Sequence, residues 1–206
     1  MSYKSEVMEP EELLPELQLR RLGEPVRAEV RDGGLELAAG PRTDWFVDPG
    51  GATPAVGNAP ALVGRPGGDF LLSARVTVEF ASTYDAGALV LFVHDRAWAK
   101  LAFEYSPQRE PMIVSVVTRE LSDYCNSFVV HGPSVWLRIS GIGRTFAFHA
   151  STDGSSWSLV RHFALQPDDE ALAGFEAQSP LGDGCAAFFD DLRYEARTLA
   201  DIRSGD

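Results

Sequence analysis

The sequence predicts one all-β domain, built as a two-sheet antiparallel sandwich or a closed barrel. Three observations carry that expectation. From Val26 onward Gly and Pro recur at short intervals, as in Asp32-Gly33-Gly34, Gly40-Pro41, Pro49-Gly50-Gly51 and Pro66-Gly67-Gly68, which is turn chemistry between short strands. Between the turns lie segments rich in β-branched and aromatic residues, several of them alternating apolar with polar. No long helical periodicity interrupts them, and 206 residues suit one such unit with a sizeable core.

In chain order, residues 1–25 are expected to form an arm packed on the domain. Pro10 can open a short helix there, but Pro15 interrupts the Leu13, Leu14, Leu17 pattern within two turns, so the arm is short-helical or irregular. The sandwich is expected over residues 26–197. Its strands are placed at Phe70 to Phe80, Ala88 to His94, Trp98 to Tyr105, Met112 to Arg119, Ser134 to Ser140, Phe146 to Ser151 and Phe188 to Tyr194. A tight hairpin turn is placed at Asp153-Gly154-Ser155, where the glycine supplies positive φ. Residues 198–206 read as a polar tail.

The net charge of −12, spread along the chain with no Lys/Arg cluster, argues against nucleic acid or anionic lipid as a partner and is compatible with a neutral or cationic one. The N-terminus lacks the basic region and apolar run of a secretory signal, and no stretch approaches the ~20 apolar residues of a membrane span. A cytoplasmic location is therefore expected. Cys125 and Cys185 have no redox or zinc spacing, so two reduced, buried thiols are expected. The four histidines show no metal-ligand spacing, and Asp190 and Asp191, being adjacent on a strand, point to opposite faces. Neither a metal nor a cofactor is expected.

Several motifs together carry a family resemblance. These are Asp85-Ala86-Gly87-Ala88-Leu89, Trp98 through Glu104, Ser115-Val116-Val117-Thr118 with Ser122-Asp123, Trp136-Leu137-Arg138-Ile139, Asp153 through Trp157, and Gly174-Phe175 through Gln178-Ser179-Pro180 to Phe189. In order and spacing they resemble the domain-of-unknown-function family numbered 1349, over roughly residues 30 to 195. Two positions depart: Tyr124 stands where a Trp is expected after the Ser-Asp pair, and the early Asp-aromatic-Trp element reads Asp44-Trp45-Phe46. The resemblance implies a jelly-roll sandwich of the concanavalin A-like lectin and glucanase type, with no function assigned to the family as a whole. Many members of that superfamily bind or cleave carbohydrate, an association of fold rather than a mechanism.

Candidate ligand residues follow from strand alternation. Trp98, Lys100, Ala102 and Glu104 share one strand face, and Ala97, Ala99, Leu101, Phe103 and Tyr105 share the other, apolar one. The first face offers an aromatic plate, a cation and a carboxylate, which suit a saccharide: a ring to stack on the sugar's apolar face and charges to hold its hydroxyls. The alternative is a Lys100–Glu104 pair on a solvated wall with Trp98 filling a rim. Arg138 shares a face with Trp136 and Ser140. It joins the cluster through Glu104 or Asp123 if the strands are neighbours, and is otherwise a structural ion pair. Thr118 and Asp123 sit where a strand ends in polar residues, with Ser122 and Asp123 equally suited to cap a turn. Asp85 reads as a site residue or, more readily, as Asp-x-Gly turn chemistry, and Gln178 is a further ligand candidate.

A catalytic carboxylate pair is available only as Glu104 with Asp123 or Asp85, and the Glu-x-Asp-x-x-Glu strand motif of many glucanases is absent. Lys100 beside Glu104 also favours the ionised carboxylate over a general acid. Three functions stay open: a non-catalytic domain binding a saccharide or small polar ligand, an interaction protein acting as monomer or homodimer, and a carbohydrate-active enzyme using Glu104 and Asp123.

Overall fold

The computed structural model describes residues 8–165 and 170–206. After a short 3₁₀ turn at Pro10–Glu12 its strands are, in chain order, β1 (Arg20–Leu22), β2 (Arg27–Arg31), β3 (Gly34–Ala39), β4 (Trp45–Phe46), β5 (Val56–Gly57), β6 (Ala61–Gly64), β7 (Phe70–Val78) and β8 (Ala86–His94). They continue as β9 (Ala97–Tyr105), β10 (Pro111–Arg119), β11 (Leu121–Val129), β12 (Ser134–Ile142), β13 (Thr145–Ser151), β14 (Ser158–Phe163), β15 (Leu172–Gln178) and β16 (Cys185–Glu195).

Two seven-stranded antiparallel sheets stack face to face. One has the order β1-β6-β15-β8-β9-β10-β11 and the other β14-β13-β12-β7-β16-β3-β2. This is the jelly-roll sandwich that the resemblance implied. Strands distant in sequence lie side by side, as β15 between β6 and β8, so neither sheet forms from hairpins alone.

The inward faces make the main core. Leu89, Leu101, Phe103, Ile113, Val117 and Phe175 of the first sheet meet Leu72, Val76, Leu137, Ile139, Phe148 and Phe189 of the second. Phe103, Phe148, Phe175 and Phe189 are fully buried, and burying each contributes about 1.5–3 kcal/mol of transfer free energy. Glycine is needed where β15 passes β6, because a Cβ on Gly174 would sit 1.9 Å from the Leu62 carbonyl oxygen. The turn at Asp153-Gly154-Ser155 lies in a longer loop than a tight hairpin allows. Gly154 has φ +75°, and the Asp153 carboxylate accepts the backbone N–H groups of Ser155 and Ser156, both at 2.7 Å.

The outward face of the first sheet is covered. Residues 43–60 form a strap across it, stiffened by the β4–β5 ladder and by Asp48, whose carboxylate accepts N–H groups from Gly50, Ala52 and Thr53. The strap is pinned at two points near its start. Thr43 exchanges backbone and hydroxyl hydrogen bonds with Ser179, while the Val47 N–H donates to Ser122 Oγ and the Ser122 N–H donates back to the Val47 carbonyl, each at 2.9 Å. Beneath it Trp45, Val63, Val90, Trp98 and Val116 form a second, smaller apolar cluster.

One expectation is corrected. Cys185 is buried as expected, but Cys125 is exposed, because it stands on β11, the edge strand of the first sheet. No helix among the described residues is long and apolar enough to cross a membrane.

Candidate functional site

The alternation of β9 puts Trp98, Lys100, Ala102 and Glu104 on the outward face, beneath and beside the strap. Lys100 is the centre of the site and is only 2% exposed. Its Nζ donates to Asp44 Oδ1 of the strap at 2.9 Å and to Gln178 Oε1 of β15 at 2.5 Å, while Gln178 Nε2 donates to the Tyr84 carbonyl at 2.9 Å. Burial works against the Lys100 charge, but Asp44, Glu176 and Glu104 around it more than offset burial and hold the ammonium above its ordinary pKa.

Two further carboxyls crowd this cation. Glu176, two residues before Gln178 on β15, is fully buried, and neither of its carboxyl oxygens has a hydrogen-bond partner. Burial pushes its pKa up to about 7, against the pull of Lys100. Glu104 is half-buried at the solvent side of the cluster. Burial raises it to about 8; Lys100 opposes the rise, and Asp44 and Glu176 add to it. Three acids thus surround one cation, and two of the acids hold their protons near neutrality.

On the opposite flank of the strap lies a cavity of about 420 Å³. Trp45, Phe92 and Trp98 wall it, Val56 and Gly57 lie on the strap side, and Asp95 and Arg96 stand at its mouth. The Trp45 indole is fixed by donating to the Ala59 carbonyl at 2.9 Å, and its ring packs against Phe92 and edge-on against Trp98 with centroids 5.5 and 5.8 Å apart. Size, aromatic walls and a few polar groups are the usual ingredients of a small-molecule site.

The geometry sorts the remaining candidates. Thr118 is buried, and its hydroxyl shares a 2.8 Å hydrogen bond with Ser122 Oγ, the group that pins Val47, so it supports the strap. Asp85 is buried and builds a turn: its carboxylate accepts the Ala81 and Ser82 N–H groups and the Ser179 hydroxyl, all within 2.9 Å. Arg138 does not join the cluster. Its strand, β12, belongs to the second sheet, where its guanidinium stacks 4.1 Å over Trp157 and donates to the Gly205 carbonyl at 2.6 Å. Beside it the Nε2–H of His149 donates to the Ile202 carbonyl at 2.7 Å, so the two side chains hold residues 202–205 against that sheet.

Asp123 is not brought to Glu104 either. It pairs across β10 with core-facing Val117, which directs it away from the outward face and toward Arg161 of the second sheet. That contact is exposed and long, 3.4 Å between charged atoms, so Asp123→Ala is expected to change stability by less than about 1 kcal/mol in urea unfolding.

A family model described as "Protein of unknown function (DUF1349)" matches residues 22–197. The chain belongs to that family. A curated DUF1349 relative, "Regulation of enolase protein 1" of Saccharomyces cerevisiae (strain ATCC 204508 / S288c), is 29% identical over 133 residues, which are 63% of this chain and 66% of that protein. The crystal structure of a functionally unknown protein from Saccharomyces cerevisiae matches with TM-score 0.80 at 24% identity, over 90% of this chain and 99% of that one. A xylan β-1,4-xylosidase from Bacillus halodurans C-125 matches with TM-score 0.67 at 13% identity; 84% of this chain is covered but only 35% of the enzyme. At such identities the likeness is one of fold.

Within this DUF1349 domain, alternation alone missed Asp44, Trp45, Phe92 and Glu176. Glu176 had a usable signal, since it has the same strand parity as Gln178. Asp44 and Trp45 stand in the Asp44-Trp45-Phe46 element of the resemblance, and only tertiary structure shows that it folds onto β9.

Proposed function

We propose that this chain is a non-catalytic carbohydrate-binding domain that seats a sugar ring in the cavity walled by Trp45, Phe92 and Trp98. The observation that carries the reading is the cavity itself: about 420 Å³ with three aromatic walls and the charged pair Asp95 and Arg96 at its mouth. Aromatic faces stack on the apolar face of a pyranose, and rim polar groups orient its hydroxyls. Likeness of fold to glycoside-hydrolase proteins is compatible with a carbohydrate role. A binding role agrees with the chemistry better than hydrolysis does, because Glu104 and Asp123 do not face a common space.

The test is calorimetric titration of the native chain with a panel of xylo-, gluco- and manno-oligosaccharides, alongside Gly57→Phe. A Cβ at position 57 would meet no atom within 4 Å and Gly57 lines the cavity, so phenylalanine there is expected to obstruct it at little cost to packing. Binding is expected to weaken about ten-fold or more in Gly57→Phe at an unchanged melting temperature. Equal affinity in the variant would sink the cavity as the site, and no binding of any sugar by the native chain would sink the reading.

A further inference from the structure

The charged cluster on the other flank of the strap asks for a ligand of its own. Lys100 spends its hydrogen bonds on Asp44 and Gln178, and Glu176 lies beneath with both carboxyl oxygens unpartnered and no exposure. The small side chains of Ala86, Ala88 and Ala102 lie between these groups in the ladder. Solvent reaches the cluster at its acidic side, through the half-buried Glu104 and through Asp44, whose side chain is 21% exposed. Tyr84, whose carbonyl accepts from Gln178 Nε2, is 38% exposed beside the cluster.

Charge decides what fits such an opening. Asp44 balances Lys100, and Glu104 and Glu176, which burial keeps protonated near neutrality, can each ionise against a bound cation in a setting where low dielectric strengthens the attraction. Arg138, the one other buried cation among the candidates, is on the other sheet. An anionic ligand is therefore disfavoured, a neutral one gains little, and a cation is paired as these carboxyls ionise.

We propose that Glu104 and Asp44 bind the primary ammonium group of an amino sugar at the surface, with Glu176 supporting the charge from beneath. The assignment rests on the saccharide reading for the identity of the carrier. The aromatic cavity and the acidic opening lie on opposite flanks of the strap, about 20 Å apart along β9, so a sugar unit held at one leaves the other free. Binding is coupled to proton release: the incoming ammonium favours the ionised carboxylates, so Glu104 and Glu176 give up protons as the ligand binds.

The experiment compares glucosamine, N-acetylglucosamine, glucose and galacturonate oligomers of one length by calorimetry at mildly acidic pH, where the free amine is charged. Glucosamine oligomers are expected to bind about ten-fold tighter than the N-acetylated ones, with galacturonate weakest, and heats that vary with buffer ionisation enthalpy report the released proton. Glu104→Gln is expected to erase the preference for glucosamine while sparing neutral-sugar binding and without lowering the melting temperature. If glucose oligomers bind and glucosamine oligomers bind no tighter, or if Glu104→Gln keeps the preference, the ammonium assignment falls and the saccharide reading stands. If no oligosaccharide binds, both fall.

Discussion

Replacing Lys100 with methionine is expected to lower the free energy of unfolding by about 3–5 kcal/mol, the range for removing one partner of a buried ion pair. Methionine keeps the length and apolar stem of the side chain, so packing beneath the strap is nearly preserved and the loss is electrostatic. Three groups are left stranded: Asp44 loses its 2.9 Å hydrogen bond, Gln178 Oε1 loses its donor, and Glu176, already without a hydrogen bond, loses the Lys100 charge beside it. Because Asp44 belongs to the strap, part of the loss should show as faster hydrogen exchange over residues 43–48. Adding Glu176→Gln to the variant removes one stranded acid, so the double variant should recover part of the loss and the two changes should not add. Urea unfolding with an unchanged m-value checks the magnitude, and a loss below about 1 kcal/mol would mean that Lys100 does not hold the strap.

How much of this arrangement was legible in the sequence depends on the distance over which each feature is decided. Period-two alternation is local, and it placed Trp98, Lys100 and Glu104 on one face of β9 correctly, as it did Trp136, Arg138 and Ser140 on one face of β12. Which sheet a strand joins is not local. β12 pairs with β7, over fifty residues earlier, so Arg138 lies on the far side of the sandwich from Glu104. The cover on the β9 face was equally hidden, since Asp44 reaches Lys100 across 56 residues and Val47 reaches Ser122 across 75. Glu176 shares the parity of Gln178 and was readable to that extent, but every residue of β15 is buried, so parity alone does not show that its carboxyl lies unpartnered beside Lys100.

A melting temperature that falls as pH rises from the weakly acidic range through about 7 and 8 is the second large effect expected. Glu176 and Glu104 are held at about 7 and 8 in the fold, against 4.5 as ordinary glutamates, chiefly by burial. In the unfolded chain both lose their protons near the ordinary value, whereas in the fold they keep them. The folded state thus binds more protons than the unfolded one between these limits. The contribution is fully present below about 4.5 and is lost as pH climbs through the two raised values.

Opposing carboxylates bound the window from below. Asp48 is lowered by backbone N–H donors, Gly50 first. Asp153 is lowered by the N–H groups of Ser156 and Ser155, and Asp191 by the Trp136 indole and Arg193. Their contribution is present above the ordinary aspartate range and is lost as pH falls below it through their lowered values. Maximum stability is therefore expected at mildly acidic pH, below the neutral optimum that a chain of ordinary carboxylates would show. Glu176→Gln removes the lower of the two raised titrations and should roughly halve the decline between about 5 and 7, leaving the part that Glu104 carries from there to about 8. Thermal melts of the native chain, Glu176→Gln and Glu104→Gln across this range separate the two contributions. A slope that survives in both single variants and in the double one would show that burial of these carboxyls does not set the pH response.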